Sequence, residues 1–126
     1  MKKIKVEISP ADFLDRLSIL NIKLENFSDE KKKKAVRLAK SSLFIGNIDQ
    51  FNAMNRDVYV RKQYLALQEV NKEIWVLEDE VRDDSWTDYR INKYRQITDL
   101  NDKRHRIKSK IDSHLKSCIG EEKEWN

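Results

Sequence analysis

Two glycines and one proline in 126 residues leave the chain few places to turn. Ordinary domains use roughly 7% glycine and 5% proline. Sheets need turns, and tight turns draw on those residues. The scarcity therefore predicts long helices joined by few loops. Charged residues at 38% and hydrophobic residues at 39% suit helices with one buried stripe and one salt-laced face. The length fits one domain with one modest core, so a single helical domain over 1–126 is expected.

The apolar spacing bears this out along most of the chain. Phe13, Leu17, Leu20, Leu24 and Phe27 alternate in steps of four and three, a packing seam. Leu14, Ile19 and Ile22 widen it, so this first helix is expected to be buried on more than one side. Ser9 can cap it, Pro10 suits its first turn and Asp12 its positive end. Ser28-Asp29-Glu30 reads as a second cap, followed by Lys31–Lys34 and a face of Ala35, Leu38, Ala39 and Leu43. Residues 46–56, GNIDQFNAMNR, read as a loop because Gly46 and the asparagines interrupt the pattern. The longest helix is predicted over 57–82 on a seam of Val60, Leu67, Val70, Ile74, Leu77 and Val81. Asp83-Asp84-Ser85 ends or kinks it. The last helix is predicted over 87–116 on Ile97, Leu100, Ile107, Ile111 and Leu115. Residues 3–8, KIKVEI, alternate apolar and polar, a short strand pattern. The expectation is an all-α bundle of about four helices, with a long helical hairpin and a short N-terminal β-strand.

Charge and cysteine content narrow the function classes. The net +4 arises from 26 basic and 22 acidic residues, a mixed surface without the unbalanced face of a duplex binder. Lys103–Lys110 forms a local basic run, diluted by Asp99, Asp102 and Asp112, so nucleic acid is not favoured as a partner. One cysteine, Cys118, rules out an intrachain disulfide framework and points to a reducing, cytoplasmic setting. No apolar run nears the roughly 20 residues that span a bilayer, so no membrane partner is expected. The Lys, Asn and Ile content would suit an AT-rich bacterial or phage genome. His105 and His114 have no metal-like spacing and read as surface residues.

Two polar stripes run beside the seams. Asn71, Trp75, Glu78 and Arg82 lie one position past the seam residues, about 100° around the helix, with Asp79 next to Trp75. Asn101, Arg104, His105, Lys108 and Asp112 share a face of the last helix. Arg104 falls between Leu100 and Ile107 on the seam itself. A core-facing arginine is costly unless paired, and hairpin logic nominates Glu78 or Asp79. A plain ion pair at the seam edge would explain the cluster. Yet Asn, Trp, acids and Arg together also supply stacking, charge and bidentate donors, as a polar ligand requires.

Several segments resemble an uncharacterised, domain-of-unknown-function family of small bacterial and phage proteins, some encoded near glycosyltransferases. They are Ile8-Ser9-Pro10, Asp15 through Lys23, Val70-Asn71 with Trp75, Glu78-Asp79 and Arg82, Asn101-Asp102 with Arg104 and Ile107-Lys108, and Glu121-Glu122-Lys123. Ile74 stands where the pattern has leucine, Glu80 replaces its third acid, and residues 28–62 match poorly. The resemblance implies a shared fold and no activity. It also implies that Asp15 and Lys23 of the first helix belong with the two stripes.

These readings converge on a groove between helices 57–82 and 87–116, walled by Asn71, Trp75, Glu78, Asp79, Arg82, Asn101, Arg104 and Lys108 and reached by Asp15 and Lys23. The expected function is binding, without chemistry or cofactor, of an anionic nucleotide-like or nucleotide-sugar ligand. A phage protein sequestering a host signalling nucleotide would be one concrete form. The alternatives are a partner-binding accessory to surface-polysaccharide enzymes and a metal-dependent nucleotide pyrophosphohydrolase. The latter would use acid pairs Asp12/Asp15, Glu80/Asp83 and Asp99/Asp102. A homo-oligomer is expected, two chains pairing residues 3–8 and burying the apolar face of the first helix.

Overall fold

The structure is a computed structural model that describes residues 2–82 and 87–119, with side chains through residue 116. Five α-helices follow one another: α1 (Pro10–Asn26), α2 (Glu30–Phe44), α3 (Ile48–Arg56), α4 (Val58–Glu80) and α5 (Asp88–Ile119). The all-α expectation holds, with one helix more than four and no strand among the described residues. The predicted turn Asp83-Asp84-Ser85, Trp86 and the acidic tail from Gly120, which holds Trp125, lie outside the described residues, as does the side chain of Cys118.

α4 and α5 form the predicted antiparallel hairpin. Val81 and Leu77 pack on Ile97 near the turn, while Val60 and Ile111 join one cluster at the far end. α1 lies across both helices and also packs on α2. Its Ala11, Phe13, Leu14, Leu17 and Ile22 are buried within the chain. The broad apolar face of α1, expected to pack on a second copy, is covered by α2, α4 and α5.

Local chemistry explains the helix starts. The Ser9 hydroxyl accepts the Asp12 N–H at 3.1 Å, and Pro10 opens the first turn of α1. The Ala11 N–H reaches across to Asp112 Oδ1 at 2.9 Å, so a side chain of α5 also caps α1. Asp29 accepts the Lys31 N–H at 2.9 Å, and Asp57 accepts the Val60 N–H at 3.1 Å.

Three sequence expectations need correction. Residues 2–8 form no strand, because a ladder needs a second strand and none lies beside them among the described residues. Ile8 packs against the core, but Ile4 and Val6 are 89% and 72% exposed. Residues 48–56 are helix, not loop. Phe51 sits among Phe13 and Phe44, and Met54 is buried, so two apolar anchors one helical turn apart outweigh the weak propensity of asparagine. Gly46, at φ 78°, makes the break before it. Finally, α2 turns a different face inward: Val36 is buried, with Leu43 and Phe44 packed on the core, while Ala35, Leu38 and Ala39 are exposed.

Candidate functional site

Among the described residues the buried charge belongs to Asp15, which is 3% exposed in the first turns of α1. A carboxylate so placed needs charged and hydrogen-bonding partners. Arg104 supplies them from α5: its Nε donates to Asp15 Oδ1 at 2.9 Å and its Nη2 to Oδ2, a bidentate fork. Asn71 of α4 donates to the same Oδ1 at 3.0 Å and reaches Ser18 Oγ at 3.2 Å. Lys108, one turn further along α5, stands 2.6 Å from Asp12 and 3.5 Å from Asp15. Three helices are thus tied at one point. Two acids and two bases there cancel one another.

Burial pushes the Asp15 carboxyl up. The hydrogen bonds from Arg104 and Asn71, with the charges of Arg104 and Lys108, outweigh it and hold the group below the usual carboxylate value of 3.8. The hydrogen bond to Asp15 likewise raises Arg104, against the opposing effect of burial and with a smaller contribution from the nearby charge of Glu78.

Beside this clamp lies a half-open groove of about 190 Å³. Ile19, Ile22 and Ile74 supply its apolar surface, and Lys23, Asn71, Trp75, Glu78, Asn101 and Arg104 its polar and aromatic lining. Trp75 leans on Phe27, ring centres 5.9 Å apart, which fixes the indole against the end of α1. Arg104 Nη1 points toward Asn101 Oδ1 at 3.4 Å. Lys23 and Glu78 form no ion pair among the described residues.

Six of the ten expected site residues therefore share one concavity: Lys23, Asn71, Trp75, Glu78, Asn101 and Arg104. Asp15 is held by two of them, Asn71 and Arg104, and Lys108 ties it to Asp12. Asp79 and Arg82 do not join them. They face each other at 3.7 Å on the outer surface, both largely exposed. The predicted partner of Arg104 also changes, from Glu78 or Asp79 to Asp15. Hairpin logic considered only α4 and α5, whereas α1 crosses both and presents the more deeply buried acid. Ser18, Asp12 and Asp112 were missed as partners. Their signal was a polar residue inside or beside the apolar seam of α1 and α5.

Other expected constellations disperse. Asp12 and Asp15 are taken by Lys108 and Arg104, and Glu80 pairs with Lys93 at 3.2 Å. Asp99 and Asp102 are exposed, and Asp83 lies outside the described residues. Among the described residues no three His, Cys, Asp or Glu side chains come together as a metal set. In the basic run, Ile107 is buried and Arg104 and Lys108 turn inward. His114 is no idle surface residue: its Nε2 meets Asp57 Oδ2 at 2.9 Å and its ring stacks near Tyr59, centres 4.4 Å apart. No described helix is long and apolar enough to cross a membrane.

Fold and site together define a small helical bundle with a groove of mixed polar and apolar lining where three helices meet. The chain belongs to DUF6165, a family of unknown function, whose model matches residues 4–126. No curated protein and no solved structure matches it significantly.

Proposed function

We propose that the α1–α4–α5 groove binds, without chemistry, a small ligand that carries a ring and an anionic group, of the nucleotide or nucleotide-sugar kind. One observation carries this reading. Trp75, Lys23, Glu78 and Asn101 line the same concavity, and neither Lys23 nor Glu78 forms a close ion pair among the described residues, although the charge of Glu78 is felt by Arg104. An indole offers a face for a base or sugar, Lys23 a charge for phosphate, and Glu78 and Asn101 acceptors for hydroxyl or amino groups. Arg104 is already neutralised by Asp15, so it positions Asn101 and the groove wall more than it attracts an anion. A volume of about 190 Å³ lies below the ~300–1,000 Å³ of drug-sized sites. It suits one ring, with the phosphates at the mouth beside Lys23.

Thermal denaturation against nucleoside mono-, di- and triphosphates and sugar nucleotides tests the reading. A ligand at a hundred times its Kd stabilises by about 2.7 kcal/mol, a rise of several degrees in Tm for a chain of this size. Lys23→Ala should leave the unliganded Tm within about 1 °C of wild type, as a surface change without a partner does, and remove most of the ligand-induced rise. A panel in which no phosphate ligand raises Tm would refute the reading.

The partner-binding alternative is favoured by a different feature, the exposed Ile4 and Val6 of the N-terminal arm. An extended segment with bare backbone and alternating apolar side chains suits addition to another protein's sheet edge. Loss of a captured partner on deletion of residues 2–7, with ligand response intact, would mark that reading. The hydrolase alternative has no assembled acid cluster to support it among the described residues.

A further inference from the structure

The outer face of α4 points away from both the core and the groove. Val58, Leu65 and Val76 lie along it, 62%, 58% and 54% exposed. Lys62, Glu69, Lys72 and Asp79 fall on the same line. From Val58 to Asp79 the spacing runs four, three, four, three, four, three, the spacing of a two-stranded coiled-coil seam, with three apolar and four charged residues on it. Among the described residues no other helix covers Val58, Leu65 or Val76.

Read backwards, this seam complements itself. Two copies laid antiparallel about the midpoint of Val70 and Asn71 set Leu65 against Val76 of the second copy, Glu69 against Lys72, and Lys62 against Asp79. Each of these three layers is then apolar on apolar or acid on base, and two-fold symmetry repeats it, while Val58 lies beyond them at the end of the seam. Parallel pairing would instead stack Lys62, Glu69, Lys72 and Asp79 each on its own kind, four like-charge layers. The pattern therefore selects one occupant and one direction. Glu69 and Lys72 lie 3.8 Å apart within one chain, an exposed pair free to exchange partners.

We infer that α4 carries a homodimer surface, in which two copies of this chain pack antiparallel through Leu65, Glu69, Lys72 and Val76. Asn71 and Trp75 lie off this line, toward the groove, so dimer formation leaves the groove open and does not depend on the ligand reading.

Sedimentation of the full chain over a concentration series decides the matter. Wild type should reach the dimer mass. Glu69→Lys alone and Lys72→Glu alone each place like charges in the central layers, and each should sediment as a monomer with unchanged helical circular dichroism. An equimolar mixture of the two variants restores acid against base in those layers and should recover the dimer mass. A wild type that stays monomeric up to its solubility limit, single variants that remain dimeric, or a mixture that stays monomeric would each overturn the inference.

Discussion

Asp15 keeps 3% of its surface in solvent and accepts hydrogen bonds from Arg104 and Asn71. Removing one side of such a pair strands the other, which costs several kcal/mol in a buried setting. Arg104 retains some exposure, so Arg104→Leu should destabilise the chain by about 3 kcal/mol in urea denaturation, the low end for breaking a buried pair. Asp15→Leu with Arg104→Leu should recover much of that loss, because no stranded charge remains. A double mutant as unstable as the sum of the singles would show that the two residues act independently. The same pair sets an acid limit. The folded carboxyl titrates below its ordinary 3.8, so the unfolded chain binds the proton first. Its stabilisation is complete above the unfolded value and is lost as pH falls through the folded one. Stability should thus fall below about pH 4, and Asp15→Asn should flatten the curve in that window. Asp57, lowered chiefly by its hydrogen bond to His114, adds in the same direction.

At the scale of the element, Asp57 does two jobs. It caps the first turn of α4 through the Val60 N–H and ties that turn to His114 of α5. Asp57→Ala should cost about 1–2 kcal/mol, the upper part of the range for a cap loss, and Asp57→Asn, which can still cap, should cost less. Equal losses in thermal denaturation would mean that the charge of the His114 contact contributes nothing. Much of this level was legible beforehand. The four-and-three spacing placed α1, α4 and α5 within a few residues, since a period that long has only a helical solution. Ser9 and Asp29 were readable as helix starts from their capping chemistry, whereas Asp57 was placed only as the first residue of a range. What escaped depends on distance in the chain. α3 is held by Phe51 meeting Phe13 and Phe44, contacts that no window of GNIDQFNAMNR contains. A strand pattern at residues 3–8 says which side chains alternate, not whether a partner strand exists. The inward turn of Arg104 showed in its seam position, but its choice of Asp15 required knowing that α1 crosses the hairpin.

For the whole molecule, one arrangement relates stability to the proposed binding. α1, α4 and α5 meet at the Asp15–Arg104–Asn71 clamp, and the groove opens directly beside it. Asn71 and Arg104 belong to both. The clamp fixes the groove wall, and Lys23, Glu78 and Trp75 line the same concavity. The central claim is that this concavity is a ligand site and not merely the edge of an ion pair. Nuclear magnetic resonance of the ¹⁵N-labelled chain tests it most directly, with the Trp75 indole N–H and the Asn71 and Asn101 side-chain amides followed during titration with nucleotides and sugar nucleotides. Saturable shifts at those three residues for at least one ligand, lost in Lys23→Ala, are the predicted result. Signals at Trp75, Asn71 and Asn101 that stay fixed across the whole panel would contradict the claim.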